Sequence, residues 1–147
     1  MTIPDVAAGP SIKELQVGQT LPVVVKHPTT RQLVMYAGAS GDFYEIHYDT
    51  AFAQKAGLEG VIVHGLLKVA WLGQLVSSWA GPNSMVRTLE ASYRGTDVPA
   101  SDYRLNGTIT SVEHKGEGSA LIGLDVWGES ADGTRTTLGN ASVEVWE

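Results

Sequence analysis

Val61-Ile62-Val63-His64-Gly65-Leu66-Leu67-Lys68-Val69-Ala70-Trp71-Leu72-Gly73-Gln74-Leu75-Val76-Ser77-Ser78-Trp79-Ala80 decides the architecture. After Gly65 the stretch is apolar almost all round: Leu66, Leu67, Val69, Ala70, Trp71, Leu72, Leu75, Val76 and Trp79. A helix with no wide polar face is buried on every side. Running from His64 to Ala80, it would be about 25 Å long at the usual rise per residue. Gly81-Pro82-Asn83 stops it, since glycine and proline do not continue a helix. His64, Lys68 and Gln74 interrupt the run, so a membrane span fits its length but not its polarity. A core helix is the better reading.

Downstream of this helix the hydrophobic period falls to two. Leu89, Ala91 and Tyr93 alternate with polar neighbours; so do Tyr103, Leu105 and Ile109, and Ala141, Val143 and Val145, while Ile122, Leu124 and Val126 alternate with Gly123, Asp125 and Trp127. Each is the pattern of a half-buried strand. Gly116-Glu117-Gly118 and Asp132-Gly133 supply hairpin turns. Upstream, residues 21–26 form a short β-branched run that reads as a strand. Thr29 and Thr30 offer cap oxygens for a helix over residues 31–39, and Asp49 or Thr50 for a short helix over residues 51–55. The architecture implied is α+β: an antiparallel sheet covered on one face by one long apolar helix. The far edge of such a sheet is open to pairing with a second subunit.

The 147 residues make one domain, residues 11–147, behind a loose tail of residues 1–10 that contains Pro4, Gly9 and Pro10. The tail lacks the basic start and apolar run of a secretion signal. With 43% hydrophobic and 18% charged residues the composition is that of a globular domain. A net charge of −6 repels polyanions, which argues against a nucleic-acid partner. The absence of cysteine excludes disulfides and thiolate metal sites. A cytoplasmic protein is expected, with no membrane partner.

Two polar clusters could carry chemistry. The first is Ser40-Gly41-Asp42-Phe43-Tyr44-Glu45-Ile46-His47-Tyr48-Asp49. On one straight helix Asp42 and His47 would diverge by roughly 140°. Gly41 makes a loop the better reading, and a loop lets both side chains converge. Taken alone, Asp42 reads equally as a helix cap and His47 as a partly buried surface histidine. The second cluster is Val63-His64-Gly65 at the start of the long helix. Free backbone N–H groups and the helix dipole make such a point a seat for an oxyanion, and glycine admits a ligand close to the backbone. His64 and Gly65 also read as a structural hydrogen bond and a tight packing contact. No pair of the four histidines has the spacing of a helical zinc site. Neither a Gly-x-Ser-x-Gly elbow nor a phosphate loop occurs.

Tyr36-Ala37-Gly38-Ala39-Ser40-Gly41-Asp42, then Ile46-His47-Tyr48-Asp49, then Ala56-Gly57, then Ile62-Val63-His64-Gly65 resembles the MaoC-like dehydratases, the (R)-specific enoyl-CoA hydratase group. The resemblance spans roughly residues 21–146 and favours the actinobacterial members that act on fatty-acyl or steroid side-chain thioesters. It implies a hot-dog fold, in which a sheet wraps a long central helix. It implies that Asp42 and His47 activate a water for reversible hydration of a trans-2-enoyl thioester. Gly65, with His64, would bind the thioester oxygen, and Tyr44 and Ser40 would support the dyad. No metal and no cofactor are implied, because the CoA or acyl-carrier pantetheine belongs to the substrate. The partner implied is a copy of the chain or another hot-dog subunit. The group's usual Asp-x-Asn-Pro-x-His core here has Tyr44 and Glu45 in place of Asn and Pro, and Gly73 stands where a small hydroxyl residue is common. The alternatives are a hot-dog acyl thioesterase, or a non-catalytic acyl-binding subunit of a heteromeric dehydratase. The first would normally carry an acidic group on the central helix, which has none between Gly65 and Ala80.

Overall fold

The computed structural model describes residues 9–116 and 118–147. Residues 1–8 of the expected tail, and Glu117 in the expected hairpin turn, lie outside them. Four long strands and a short one form a single antiparallel sheet. They are β1 (Val24–Lys26), β2 (Ser84–Tyr93), β3 (Tyr103–His114), β4 (Ser119–Glu129) and β5 (Arg135–Trp146), in the order β1-β3-β4-β5-β2. Helices α1 (Thr30–Ser40) and α2 (Thr50–Lys55) precede the long helix α3 (Gly65–Ala80). α3 packs across β2, β3, β4 and β5, which is the α+β hot-dog arrangement.

The core lies between α3 and the sheet. Leu72, Leu75 and Val76 meet Leu105, Ile109, Ile122, Leu124, Val126 and Val143, all buried. Burying one such side chain contributes about 1.5–3 kcal/mol, so these contacts hold α3 far more firmly than helix propensity does. Trp71 is buried in the same layer, and Trp79 packs on its edge. Gly9 and Pro10 lie beside Ala80 and Pro82 at the far end of α3. No helix among the described residues is long and apolar enough to cross a membrane.

The strand expected over residues 21–26 is shorter in the structure. Pro22 has no N–H to give the ladder, so regular pairing with β3 starts only at Val24. Upstream, the chain still follows β3 through a Leu21 N–H bond to the Gly107 carbonyl (2.9 Å) and an isolated Thr20–Thr108 bridge. α1 runs one residue further at each end than expected. Thr29 caps it by accepting from Gln32 N–H, and Gly41 closes it with φ of 77°, a left-handed conformation that L side chains resist. Asp49 caps α2 through the Phe52 N–H. β2 is an edge strand, and Tyr93 at its end departs from the inward alternation, with 48% of its surface exposed. The reason is local: its ring leaves the sheet to cover the start of α3.

Candidate active site

Four segments converge on one cleft of about 360 Å³, lined by Asp42, His47, Gly65, Lys68, Tyr93 and Thr96 among others. Gly41 turns the chain out of α1 and delivers Asp42. Ser40 steadies that turn: its hydroxyl donates to the Tyr36 carbonyl (2.7 Å) and accepts from Asp42 N–H (3.2 Å). A 3-10 turn over Glu45–His47 then carries the histidine back toward the aspartate. No proline is needed for this turn, which closes through a bond from His47 N–H to the Tyr44 carbonyl (3.1 Å). Tyr44 is exposed and stands edge-on to the His47 ring, 6.4 Å between centroids, with Phe52 behind it. The sequence does not reveal this wall, because Tyr44 and Phe52 belong to different elements.

The imidazole of His47 is buried and its tautomer is fixed. Nδ1 lies 2.8 Å from the Ile62 carbonyl, which can only accept, so Nδ1 carries the proton. Nε2 then presents its lone pair, 3.8 Å from Asp42 Oδ2. The Ile62 peptide is itself held, through an Ile62 N–H bond to the Ile46 carbonyl (3.1 Å). A buried histidine oriented by a main-chain carbonyl, with a half-exposed carboxylate beside its free nitrogen, is arranged to take a proton from a molecule between them.

Gly65 opens α3, and the first in-helix bond runs from Lys68 N–H to the His64 carbonyl (3.2 Å). The preceding amides at this end are the unsatisfied donors of a helix start. A Cβ on Gly65 would stand 2.8 Å from Tyr93 Cζ, so only glycine lets the phenol ring lie against the backbone here.

His64 is fully buried behind the dyad. Its ring stacks on His47 at 3.8 Å, and its Nε2 donates to the Asp42 carbonyl at 3.3 Å. Nδ1 has no partner. His64 therefore braces both dyad residues from the side away from the cleft lining. Burial pushes its pKa below the ordinary 6.5, the adjacent His47 pushes the same way, and Asp42 opposes both. The unfolded chain thus binds this proton more readily than the native protein. That part of the stability is complete above about pH 6.5 and declines as pH falls from there toward the lowered native value. The thermal midpoint of the wild type should drop more between pH 7 and pH 5 than that of His64→Gln. Equal drops in the two proteins would refute the assignment.

Asp42, His47 and His64 bring possible metal-ligand atoms within 4.8 Å of one another. The two imidazole planes lie only 18° apart, so no ion can sit in both planes at bonding distance. His47 Nδ1 is already committed to Ile62. The trio suits proton transfer better than chelation.

Sequence reasoning missed Lys68, Tyr93, Thr96 and Asp97. One signal was available: Lys68 is the only charged residue on a helix that reads as buried all round, and such a charge requires a partner. Outside the site, Arg87 pairs with Glu144 across β2 and β5.

Residues 13–119 match the family described as MaoC like domain. A stretch of 60 residues is 43% identical to fatty acid synthase subunit beta of Gibberella zeae, covering 41% of this chain. The chain spans only 3% of that subunit's length, and 5% of the related fatty acid synthase beta subunit TOXC of Cochliobolus carbonum. Over 129 residues it is 26% identical to the 3-oxo-4,17-pregnadiene-20-carboxyl-CoA hydratase beta subunit of Mycobacterium tuberculosis, covering 88% of this chain and 94% of that one. Among solved structures, the (R)-hydratase from A. caviae involved in PHA biosynthesis superposes with a TM-score of 0.80 at 23% identity, over 89% of this chain and 97% of that one. At that identity the likeness shows the shared hot-dog fold. The chain belongs to the MaoC-like domain family.

Proposed function

We propose that this protein hydrates trans-2-enoyl thioesters reversibly to (R)-3-hydroxyacyl thioesters, with Asp42 and His47 as the water-activating dyad. One observation carries the reading: His47 Nε2 is free and faces Asp42 Oδ2, in the cleft that also receives the start of α3. Water held between the two groups loses a proton to His47 while its oxygen bonds to C3 of the enoyl group. The C2–C3 π pair moves toward the thioester oxygen, and the Gly65 N–H stabilises the charge that develops there. The proton then passes to C2 through the dyad, with Asp42 orienting the water and sharing the transfer. Acids, bases and electrons balance without a metal or resident cofactor. The (R) configuration and the pantetheine thioester are supported by the names of the A. caviae and M. tuberculosis relatives. The second of these is named as a subunit, which supports assembly of this chain with a copy of itself or with another hot-dog subunit.

The test is direct. Purified protein is incubated with crotonyl-CoA, longer enoyl-CoA esters and a steroid side-chain enoyl-CoA, and loss of the enoyl absorbance is followed. Hydration of at least one of them to the (R) product is expected, at a rate that a chelator leaves unchanged. An exclusively (S) product, or activity lost with the chelator and restored by zinc, would be incompatible with this mechanism.

A further inference from the structure

Lys68 is buried one turn into α3 and is 2% exposed, yet it remains paired. Its ammonium donates to Asp97 Oδ2 at 2.8 Å and to the Gly95 carbonyl at 3.0 Å. Asp97, also buried, lies in the connection between β2 and β3. It accepts from Ser130 just after β4 (2.6 Å to Oδ1) and from Thr136 in β5 (2.6 Å to Oδ2). Its main-chain carbonyl accepts from Val63 N–H at 2.8 Å. One residue therefore grips the chain on both sides of Gly65, two positions before it and three after, and ties that grip to the ends of two core strands.

Stability alone is a poor reason for such a pair, because well-packed apolar residues commonly serve a buried site as well or better. Placement is a better one, since a displacement of about 1 Å in a catalytic group can cost about 10²-fold in rate. We infer that Asp97, acting through Lys68 and the Val63 amide, is a positioning residue that fixes the Gly65 N–H where the thioester oxygen acquires charge. The inference rests on the proposed role of Gly65. Asp97 does not line the catalytic cleft, whereas Lys68, Gly95 and Thr96 do, so Asp97 acts on the wall of the site from behind.

The test compares Asp97→Asn with wild type on crotonyl-CoA, or on whichever enoyl-CoA the wild type hydrates best. A fall in kcat of roughly tenfold to a hundredfold is expected, with KM changed by less than about threefold, because the lost contact matters chiefly in the transition state. A spectroscopic readout separates placement from folding. In a His47→Gln background, which turns substrate over slowly enough for rapid-mixing spectroscopy, the carbonyl stretch of bound enoyl-CoA reports the hydrogen bond from Gly65. Adding Asp97→Asn should move that stretch back toward its value in solution. Unchanged kcat together with an unchanged stretch would overturn the inference and leave the hydratase reading intact. A wild type that hydrates no enoyl thioester would remove both. The double variant Lys68→Met with Asp97→Leu replaces the pair by packing; wild-type kcat in it would also overturn the inference. Should Asp97→Asn fail to fold, Ser130→Ala removes a single bond to Oδ1 and is read in the same way.

Discussion

His47→Gln lowers kcat for enoyl-thioester hydration by about 10²- to 10⁴-fold, the range that a positioned general base contributes. Glutamine is of similar reach and can still donate toward the Ile62 carbonyl, but its amide cannot take a proton from water. The loss should fall on kcat, with KM little changed, because the substrate's other contacts along the cleft remain. Asp42→Asn should act in the same direction and leave the Tyr44 N–H its acceptor, since the amide oxygen can replace the carboxylate at Oδ1. Steady-state rates measured on folded protein, checked by circular dichroism, decide the matter. A His47→Gln protein hydrating within twofold of wild type would remove His47 from the chemistry and with it the proposed mechanism.

Lys68→Met destabilises the fold by about 3–5 kcal/mol, the usual cost of stranding one partner of a buried ion pair. The Asp97 carboxylate keeps its bonds to Ser130 and Thr136, which places the loss toward the lower end. The double variant Lys68→Met with Asp97→Leu should recover most of it, because no charge is then left buried. Urea unfolding midpoints at unchanged slope measure both effects. A Lys68→Met loss below about 1 kcal/mol would show that the pair is hydrated and that its burial has no energetic weight.

These two predictions draw on parts of the molecule that differ in how openly the sequence declares them. α3 is legible because a long apolar run ended by Gly81-Pro82 has few other solutions, and the strands because their inward residues recur at every second position. The length of β1 is misjudged because Pro22 removes one ladder donor inside an otherwise β-branched run. Tyr93 fits the inward alternation by sequence, but it sits at the end of an edge strand, where the helix start offers its ring a better contact than the sheet does. The dyad is suggested by the order of its pieces. Its convergence depends on Gly41 adopting positive φ and on a 3-10 turn, neither of which the spacing of Asp42 and His47 prescribes. Lys68 and Asp97 are 29 residues apart, and Ser130 and Thr136 join them only through the pairing of β4 with β5. Contacts made by sheet register leave no periodic trace along the chain.

The long helix has a kinetic consequence. Its amides open only when the central layer of the protein opens, so exchange with solvent at α3 beyond its first turn tracks global unfolding. The Asp42–His47 arm is carried by a one-turn 3-10 segment and the short α2, whose openings need not disturb that layer. Hydrogen exchange should therefore be slowest in the body of α3, from Leu72 onward, and faster in the 3-10 segment and α2.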